Sequence, residues 1–155
     1  MRLKGLTSMK PIYAIALTAC AIFAAEKKVK LEELPAAVQA AVKEQTRNAT
    51  LIGLSTEKEN GKTMYEVETK VNGKGRDLLL DRTGAVVETE EEVDPDSVPA
   101  PARAAIQKRA AGDTVAKIEK VTAGSAVSYE GTIKTKTGKT VEYAVNADGT
   151  RHKED

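Results

Sequence analysis

Two segments of the chain place apolar residues at helical spacing. They are LPAAVQAAVKEQ at 34–45 and VPAPARAAIQKR at 98–109. Residues three or four apart share one face of a helix, so each segment is predicted to form one amphipathic helix. The matched apolar positions are Leu34, Val38, Ala41 and Val42 in the first segment and Val98, Ala102, Ala105 and Ile106 in the second.

The residues at the ends of these two segments also match. Pro35 and Pro99 suit the first helical position, where a missing N–H costs nothing. Asn48 and Gly112 are residue types that readily adopt the left-handed conformation that closes a helix. We expect each proline to begin its helix and each of the other two residues to end it.

The stretch after each helix alternates apolar and polar residues with period two. Tyr65 and Val67 point one way, toward the predicted core, and Glu66 and Glu68 point the other. This alternation is typical of a half-buried strand. Predicted turns separate the strands: NGK at 60–62, NGKG at 72–75, RTG at 82–84, TGK at 137–139 and ADG at 147–149. The pattern predicts antiparallel meanders.

The second half of the chain repeats the first at an offset of 64 residues, which becomes 65 after one inserted residue. The fold class predicted is therefore α+β, with two tandem repeats at 26–93 and 94–155. Each is a helix packed on a three- to four-stranded antiparallel sheet. A unit of about 65 residues buries only a marginal core, so the two units are expected to pack together. The matched pairs include Pro35 with Pro99, Tyr65 with Tyr129, Gly73 with Gly138 and Gly84 with Gly149.

The last strand differs between the two halves. Val86 and Val87 in AVVETEEE correspond to Arg151 and His152. We expect the fourth strand of the second unit to be short, polar or frayed, because a charged pair suits a solvated edge.

The N-terminal residues 1–25 read as a signal peptide. Three basic residues precede an apolar run of fifteen residues without charge, which is too short to span a membrane comfortably. Cleavage after Ala24 or Ala25 would release a periplasmic or secreted protein. The alternative is a lipoprotein, because Leu17 to Cys20 (LTAC) matches a bacterial lipobox and Cys20 would then carry the lipid. A membrane contact is expected only through such an anchor.

The composition of the body from residue 26 onward excludes several classes of function. It holds 23 acidic and 21 basic residues, a net charge of −2, which argues against a nucleic-acid binder. It has no cysteine, so no thiol nucleophile or disulfide framework is available. We expect no enzyme and no cofactor, because no close carboxylate pair with a raised pKa is evident.

Two motifs favour an ordinary structural interpretation. The acidic run from Glu88 to Asp96 lacks the spacing of a calcium loop, so a solvated connector is expected, with weak cation association left open. His152, the one histidine, lies near the C-terminus between two basic residues and is expected to belong to a solvated tail. No metal site is therefore predicted.

Two long segments carry a family resemblance. YEVETKVNGKGRDLLLDRTGAVV at 65–87 and YEGTIKTKTGKTVEYAVNADG at 129–149, each preceded by its helix, resemble PepSY-like proteins, in particular the β-lactamase-inhibitor-like branch. The resemblance covers residues 31–149. It implies a small exported domain without catalytic residues that binds and sometimes restrains partner proteins. In β-lactamase-inhibitor proteins a tandem pair of units presents a concave sheet face to the enzyme, which implies a similar shape here.

The predicted function is an exported binding or inhibitor-like module. Its partner would be an envelope or secreted protein, such as a peptidase or another envelope enzyme, held by the sheet face opposite the helices. The alternative is a structural or adhesive envelope protein without a specific partner. Residues 31–93 carry a net charge of −5 and residues 94–155 a net charge of +1, so charge should orient the partner. The predicted contacts are Glu66, Glu68, Leu79, Lys134 and Lys136.

Overall fold

The computed structural model describes residues 27–59 and 61–152. Over these residues the chain forms eight strands and two α-helices, and all eight strands lie in one antiparallel sheet in chain order. The first half contains β1 (Lys27–Lys28), α1 (Ala36–Gln45), β2 (Thr50–Glu59), β3 (Lys62–Val71), β4 (Lys74–Leu80) and β5 (Val86–Glu92). The second contains α2 (Ala100–Ala110), β6 (Thr114–Ala123), β7 (Ala126–Lys134) and β8 (Thr140–Asn146). A short 3-10 helix precedes each α-helix, at Leu31–Glu33 and Pro95–Ser97.

Both helices pack on the same side of the sheet. Val38 and Val42 of α1 are fully buried against Val67 and Leu80, and Ile106 of α2 is buried in the second core. The apolar positions predicted from periodicity therefore form the core, as amphipathic helices on a sheet require. The two clusters are Leu34, Val38, Val42, Leu54, Tyr65, Val67, Leu78 and Leu80, and Val98, Ala102, Ile106, Ile118 and Val145.

The two matched tyrosines lie on the helix side of the sheet, as predicted. Tyr65 belongs to the first core, and Tyr129 is partly buried and packs against the second. Neither ring is therefore available on the other side of the sheet.

The two halves of the chain join through the sheet. β5 pairs with β6 from Glu88 opposite Ala123 to Glu92 opposite Glu119. The acidic residues of β5 are thus part of a paired strand, and the expectation of a solvated connector is wrong for them; it holds for Asp94 and Asp96, which are exposed between β5 and α2. A backbone that runs between two strands is held in an extended form, which fixes the direction of every side chain on β5.

The helix starts differ from the prediction by one residue. Pro35 and Pro99 precede the first helical residues Ala36 and Ala100, with ψ values of 145° and 134°. These are extended backbone conformations, so each proline caps its helix instead of beginning it.

The end of α1 also differs from the prediction. Asn48 does not have positive φ, and α1 ends at Gln45. The N–H and the hydroxyl of Thr46 both donate to the carbonyl of Val42, at 3.0 and 2.8 Å, so no left-handed residue is needed there. At the end of α2, Gly112 has positive φ as expected, together with Ala111 before it.

The described end of the chain, Arg151 and His152, adds very little to the sheet. Arg151 forms one isolated bridge with Val145, and the N–H of His152 donates to the carbonyl of Ala144. This short contact agrees with the expected loss of a full fourth strand in the second half. No helix within the described residues is long and apolar enough to cross a membrane.

Candidate functional site

The open face is the side of the sheet that faces away from α1 and α2. Residues paired across an antiparallel sheet point to the same side, so the strand register gives its side chains directly. The rows that hold most of the acidic side chains are four: Ser55, Glu66, Leu79, Glu88 and Ala123; Gly53, Glu68, Asp77, Glu90, Val121 and Ser128; Glu92, Glu119, Glu130 and Ala144; and Lys117, Thr132 and Glu142. Beyond them the same face continues with Glu57 and Met64, with Lys70 and Gly75, and with Thr114, Lys134 and Thr140.

Several carboxylates at the centre of the open face are buried. Glu88, Glu119 and Glu130 are only 6%, 2% and 8% exposed. Both described helices pack on the other side of the sheet, so these side chains are covered mainly by their neighbours on the open face. Bulges bend a sheet and increase its twist. Register shifts of this kind occur in the β2–β3, β4–β5 and β6–β7 pairs.

The central residues bring their carboxylate oxygens close together. One oxygen each from Asp77, Glu90 and Glu119 lies within 4.8 Å of the other two. The ammonium of Lys117 lies 2.5 Å from Oε1 of Glu119. We define the carboxylate cluster as Asp77, Glu88, Glu90, Glu119 and Glu130. Lys117 is the cation that reaches into it.

Burial raises the pKa of most members of this cluster. Desolvation, followed by the charge of Glu90, raises the pKa of both Glu88 and Glu130 to about 8. Desolvation and the charge of Glu119 raise the pKa of Glu90 to about 7 and also raise the pKa of Asp77. Desolvation disfavours a charged carboxylate, and a like charge nearby disfavours it further. Around neutral pH the cluster therefore holds protons that ordinary carboxylates would have lost.

The pKa of Lys117 responds in the opposite sense. Burial by itself would lower the pKa of its ammonium, but the hydrogen bond to Glu119 and the charges of Glu119, Asp77 and Glu90 raise it overall. Lys117 therefore stays charged and compensates one negative charge of the cluster.

Two buried oxygens on the open face have no hydrogen-bond partner. They are Oε2 of Glu88 and Oγ1 of Thr132. Thr132 lies directly across from Lys117 on the neighbouring strand. Buried polar atoms are nearly always paired, so each exception calls for an explanation.

The rim of the open face is better satisfied. The hydroxyl of Ser55 donates to Oε2 of Glu66 at 2.6 Å, and the N–H of Gly75 donates to Oε2 of Glu92 at 3.1 Å. A Cβ at Gly53 would lie 3.0 Å from Oε1 of Glu68, so the glycine makes room for that carboxylate. On the open face, the missing partners among the described residues are therefore confined to Glu88 and Thr132; a third buried atom without a partner, Nε of Arg76, lies on the helix side.

The five predicted contact residues do not all lie together. Glu66, Glu68 and Leu79 are half-buried neighbours on the open face, as predicted. Lys134 is exposed at the end of β7, opposite Thr140. Lys136 is exposed in the turn after β7, where its N–H donates to Oδ1 of Asp113. By its register Lys134 lies on the open face, as predicted, two residues beyond Thr132, whereas Lys136 lies off the strands. Both lysines are at a strand end, away from the acidic centre.

The sequence analysis missed the centre of the site. It expected no close carboxylates with a raised pKa, and the cluster shows the opposite. A signal was available: Glu88, Glu90 and Glu92 are spaced by two, so in a strand they share one face. This shared face was missed because the acidic run was interpreted as a connector instead of a strand.

Two further predicted residues have different outcomes. His152 is half-buried, and its Nδ1 lies 2.8 Å from Oδ1 of Asn146, so the expectation of a fully solvated tail is wrong. Cys20 and the rest of residues 1–25 lie outside the described part of the chain, and their predicted roles remain predictions.

Comparisons with solved structures show the fold. A candidate periplasmic protein from Bacteroides eggerthii has a TM-score of 0.60 at 15% identity, over 79% of this chain and 88% of that one. A BLIP-like protein from Bacteroides fragilis has a TM-score of 0.52 at 19% identity, over 78% and 85%. A DUF2874 family protein from Bacteroides uniformis has a TM-score of 0.58 at 18% identity, over 78% and 88%. No family model matches the sequence, and no curated protein is similar enough to count as a match. The chain thus has a BLIP-like fold.

Proposed function

We propose that the protein is an exported, non-catalytic module that binds another envelope or secreted protein through its open face. The observation that carries this proposal is the open face itself. It extends across the strands of one sheet, lies away from both described helices and concentrates acidic side chains. Such a face suits a partner that presents basic side chains to it.

The fold likeness supports the same function. One structural neighbour is called BLIP-like, and the sequence resemblance to β-lactamase-inhibitor-like proteins implies that such a fold binds a partner without chemistry of its own. A partner such as a peptidase or another envelope enzyme would fit that mode of action. Because the identity is only 19%, the likeness supports the mode of binding and does not name the target.

We also propose that the scaffold consists of two PepSY-like repeats, 26–93 and 94–155. Matched contacts support this. The N–H of Val29 donates to Leu54 O at 3.1 Å, and the N–H of Val93 donates to Ile118 O at 3.0 Å. Val93 follows Val29 by 64 residues, and Ile118 follows Leu54 by the same number. Duplication would preserve the backbone and let the two surfaces diverge in charge.

Export is the remaining part of the proposal. Residues 1–25 would act as a signal peptide, ending either in cleavage after Ala24 or Ala25 or in lipidation of Cys20. N-terminal mass spectrometry of protein from the host distinguishes a diacylglyceryl-Cys20 from a free Ala25 or Glu26. An intact Met1 would rule out export by this route.

The binding proposal is tested by a pull-down from the host envelope fraction with two baits. One bait is the wild-type protein, and the other reverses four charges at the predicted contacts Glu66, Glu68, Lys134 and Lys136. A specific partner should be retained by the wild-type bait and lost with the reversed one, because rim charges steer association. Recovery of the same partner with both baits would show that the surface is assigned wrongly.

A matched control bait reverses four exposed charges away from the open face. Suitable positions are Lys43 and Glu44 on α1, Glu91 on the helix side of β5 and Lys108 on α2. This control should retain the partner. If no bait retains a specific protein, the alternative of a structural or adhesive envelope protein without a specific partner is favoured instead.

A further inference from the structure

We propose that the centre of the open face binds a hard divalent cation, with calcium as the best fit. The ligands would be carboxylate oxygens of Asp77, Glu90 and Glu119, joined by Glu88. This proposal goes beyond the binding of a protein partner and does not depend on it.

The distances within the cluster fit a single ion. Calcium–oxygen bonds are about 2.3–2.6 Å long, so two oxygens on the same ion can be as much as about 5 Å apart. Carboxylate oxygens of Asp77, Glu90 and Glu119 lie within 4.8 Å of one another. One ion placed among them would reach all three without rearrangement of the strands.

An acidic cluster alone would not indicate a ligand, but two buried oxygens without a hydrogen-bond partner do, and one of them belongs to Thr132, outside the cluster. Oε2 of Glu88 has no partner, although this residue is only 6% exposed and its carboxyl group interacts with that of Glu90. Oγ1 of Thr132 has none either, in a residue that is 8% exposed and faces Lys117 across the strand pair. Both oxygens are acceptors on the same face as the cluster. A cation coordinated there would use such acceptors, directly or through water.

The charges at the centre of the open face also favour a bound cation. The cluster has five carboxylates, and Lys117 is the one described cation shown in contact with it. Its remaining neighbours on the face include Glu66, Glu68 and Glu142, which are acidic as well. Lys117 compensates one charge of the cluster, and protons that the carboxylates with raised pKa retain around neutral pH compensate others; a bound divalent cation would replace those protons. A buried charge without a partner is costly, and a bound cation would remove much of that cost.

The ligand set selects the kind of ion. Carboxylate and hydroxyl oxygens are hard ligands, and the described part of the cluster contains no histidine or cysteine for a softer metal. The proposed ligands come from three strands, and three of the four are glutamates with long side chains, so their positions can adjust to the ion. Calcium accepts such irregular geometry, whereas magnesium requires a near-octahedral one.

The ammonium of Lys117 would compete with the ion for the carboxylate of Glu119, which it already contacts. Binding would displace the ammonium toward solvent, which its flexible stem permits. Removal of the ammonium should therefore tighten cation binding, whereas a lysine with a purely structural role would give no such gain.

Calorimetric titration of the EDTA-treated, dialysed protein with calcium chloride tests the proposal, with magnesium chloride as a parallel arm. We expect calcium to bind with a dissociation constant of about 1 mM or tighter and magnesium to bind more weakly. Glu90→Gln and Asp77→Asn should each weaken calcium binding by at least about tenfold, because each removes a charged ligand. The matched control is Glu91→Gln, on the same strand but on the helix side of the sheet.

Lys117→Met is the second variant, and it should bind calcium at least about tenfold more tightly than the wild type. Calcium should also raise the melting temperature of this variant more than that of the wild type, a readout that requires only folded protein. No heat and no thermal shift with wild-type protein in 10 mM calcium, a concentration about tenfold above the weakest expected constant, would overturn the proposal. Equal calcium affinity in Glu90→Gln and Glu91→Gln would also overturn it. Either result would leave the pull-down with the open-face variants unaffected, so the two proposals fail separately.

Discussion

Ile106 on α2 lies so close to Gly131 on β7 that a Cβ at position 131 would overlap Cγ2 of Ile106. At the matching positions of the first half stand Val42 on α1 and Val67 on β3, both fully buried. The first half thus places two valine side chains at these positions, whereas the second half places an isoleucine side chain against a glycine. This exchange of volume keeps the helix close to the sheet in both halves.

Gly131→Ala should lower the free energy of unfolding by about 1–3 kcal/mol, because a methyl group would be forced into a filled space. In the double variant Ile106→Ala/Gly131→Ala, the helix residue no longer carries the Cγ2 atom that the new methyl group would overlap. The loss in the double variant should therefore be smaller than the sum of the two single losses. Urea unfolding of the four proteins of this cycle measures the coupling. Additive losses would show that the two residues do not share one packing site.

Gly84 is held by both its conformation and a close contact. Its φ is 81°, and a Cβ there would lie 2.6 Å from the carbonyl oxygen of Ala37 on α1. Gly138 has almost the same φ, 82°, but a Cβ there would meet nothing within 4 Å. Gly138→Ala should therefore cost only the conformational penalty, about 1–2 kcal/mol. Gly84→Ala should cost more, because the helix must also shift.

Gly149 provides an independent check on this steric effect. A Cβ there would lie 2.6 Å from the carbonyl oxygen of Pro101 on α2, and its φ is 83°. Gly149→Ala should thus be destabilised like Gly84→Ala and more than Gly138→Ala. Melting temperatures by circular dichroism rank the three variants. An equal loss in all of them would mean that contact with the helices is unimportant.

Stability should fall as the pH rises above 5, in buffer that contains EDTA to exclude divalent cations. The folded-state pKa values of Glu88 and Glu130 are about 8, raised above an ordinary glutamate value near 4.5. Their contribution to stability is therefore fully present below about pH 4.5 and is lost as the pH rises through 8. Each proton that only the folded state retains gives a slope of about −1.4 kcal/mol per pH unit.

Urea unfolding at pH 5, 6, 7 and 8 measures this slope. Glu130→Gln should flatten it and be more stable than the wild type at pH 8, because the amide resembles the protonated carboxyl and carries no charge. Glu142→Gln, an exposed position on the same face, is the control and should leave most of the slope in place. A stability that rises between pH 5 and 8 would contradict the raised pKa values.

Residues 26–93 expressed alone should show a shallow or absent cooperative melt. Without the second half, β5 loses its partner β6, and the sheet ends at an unpaired strand. That strand also carries Val86, which is exposed, and Val87, which is half-buried. A unit of about 65 residues buries too little apolar surface to compensate. Thermal melts of this fragment and of residues 26–155 make the comparison. A transition as sharp, and at the same temperature, in the fragment would show that it folds independently.

The sequence by itself predicted both helices and most of the strands, and which side of the sheet the core residues face. The spacing of Val38 and Val42 placed them in the core, and the alternation around Val67 placed Glu66 and Glu68 on the opposite side. Such features follow from the local geometry of the chain, which repeats every 3.6 residues in a helix and every 2 in a strand. Helix ends were less predictable, because Thr46 closes α1 with bonds of its own.

The tertiary structure alone decided what the acidic residues do. Glu90 and Glu119 meet because β5 pairs with β6, and no local pattern specifies which strand edges will pair. In the folded sheet Glu88 and Glu130 are removed from water, and this burial, more than any neighbouring charge, raises their pKa values. Burial and proximity depend on the whole fold, so a run of glutamates that is ordinary in the sequence becomes the most unusual site in the molecule.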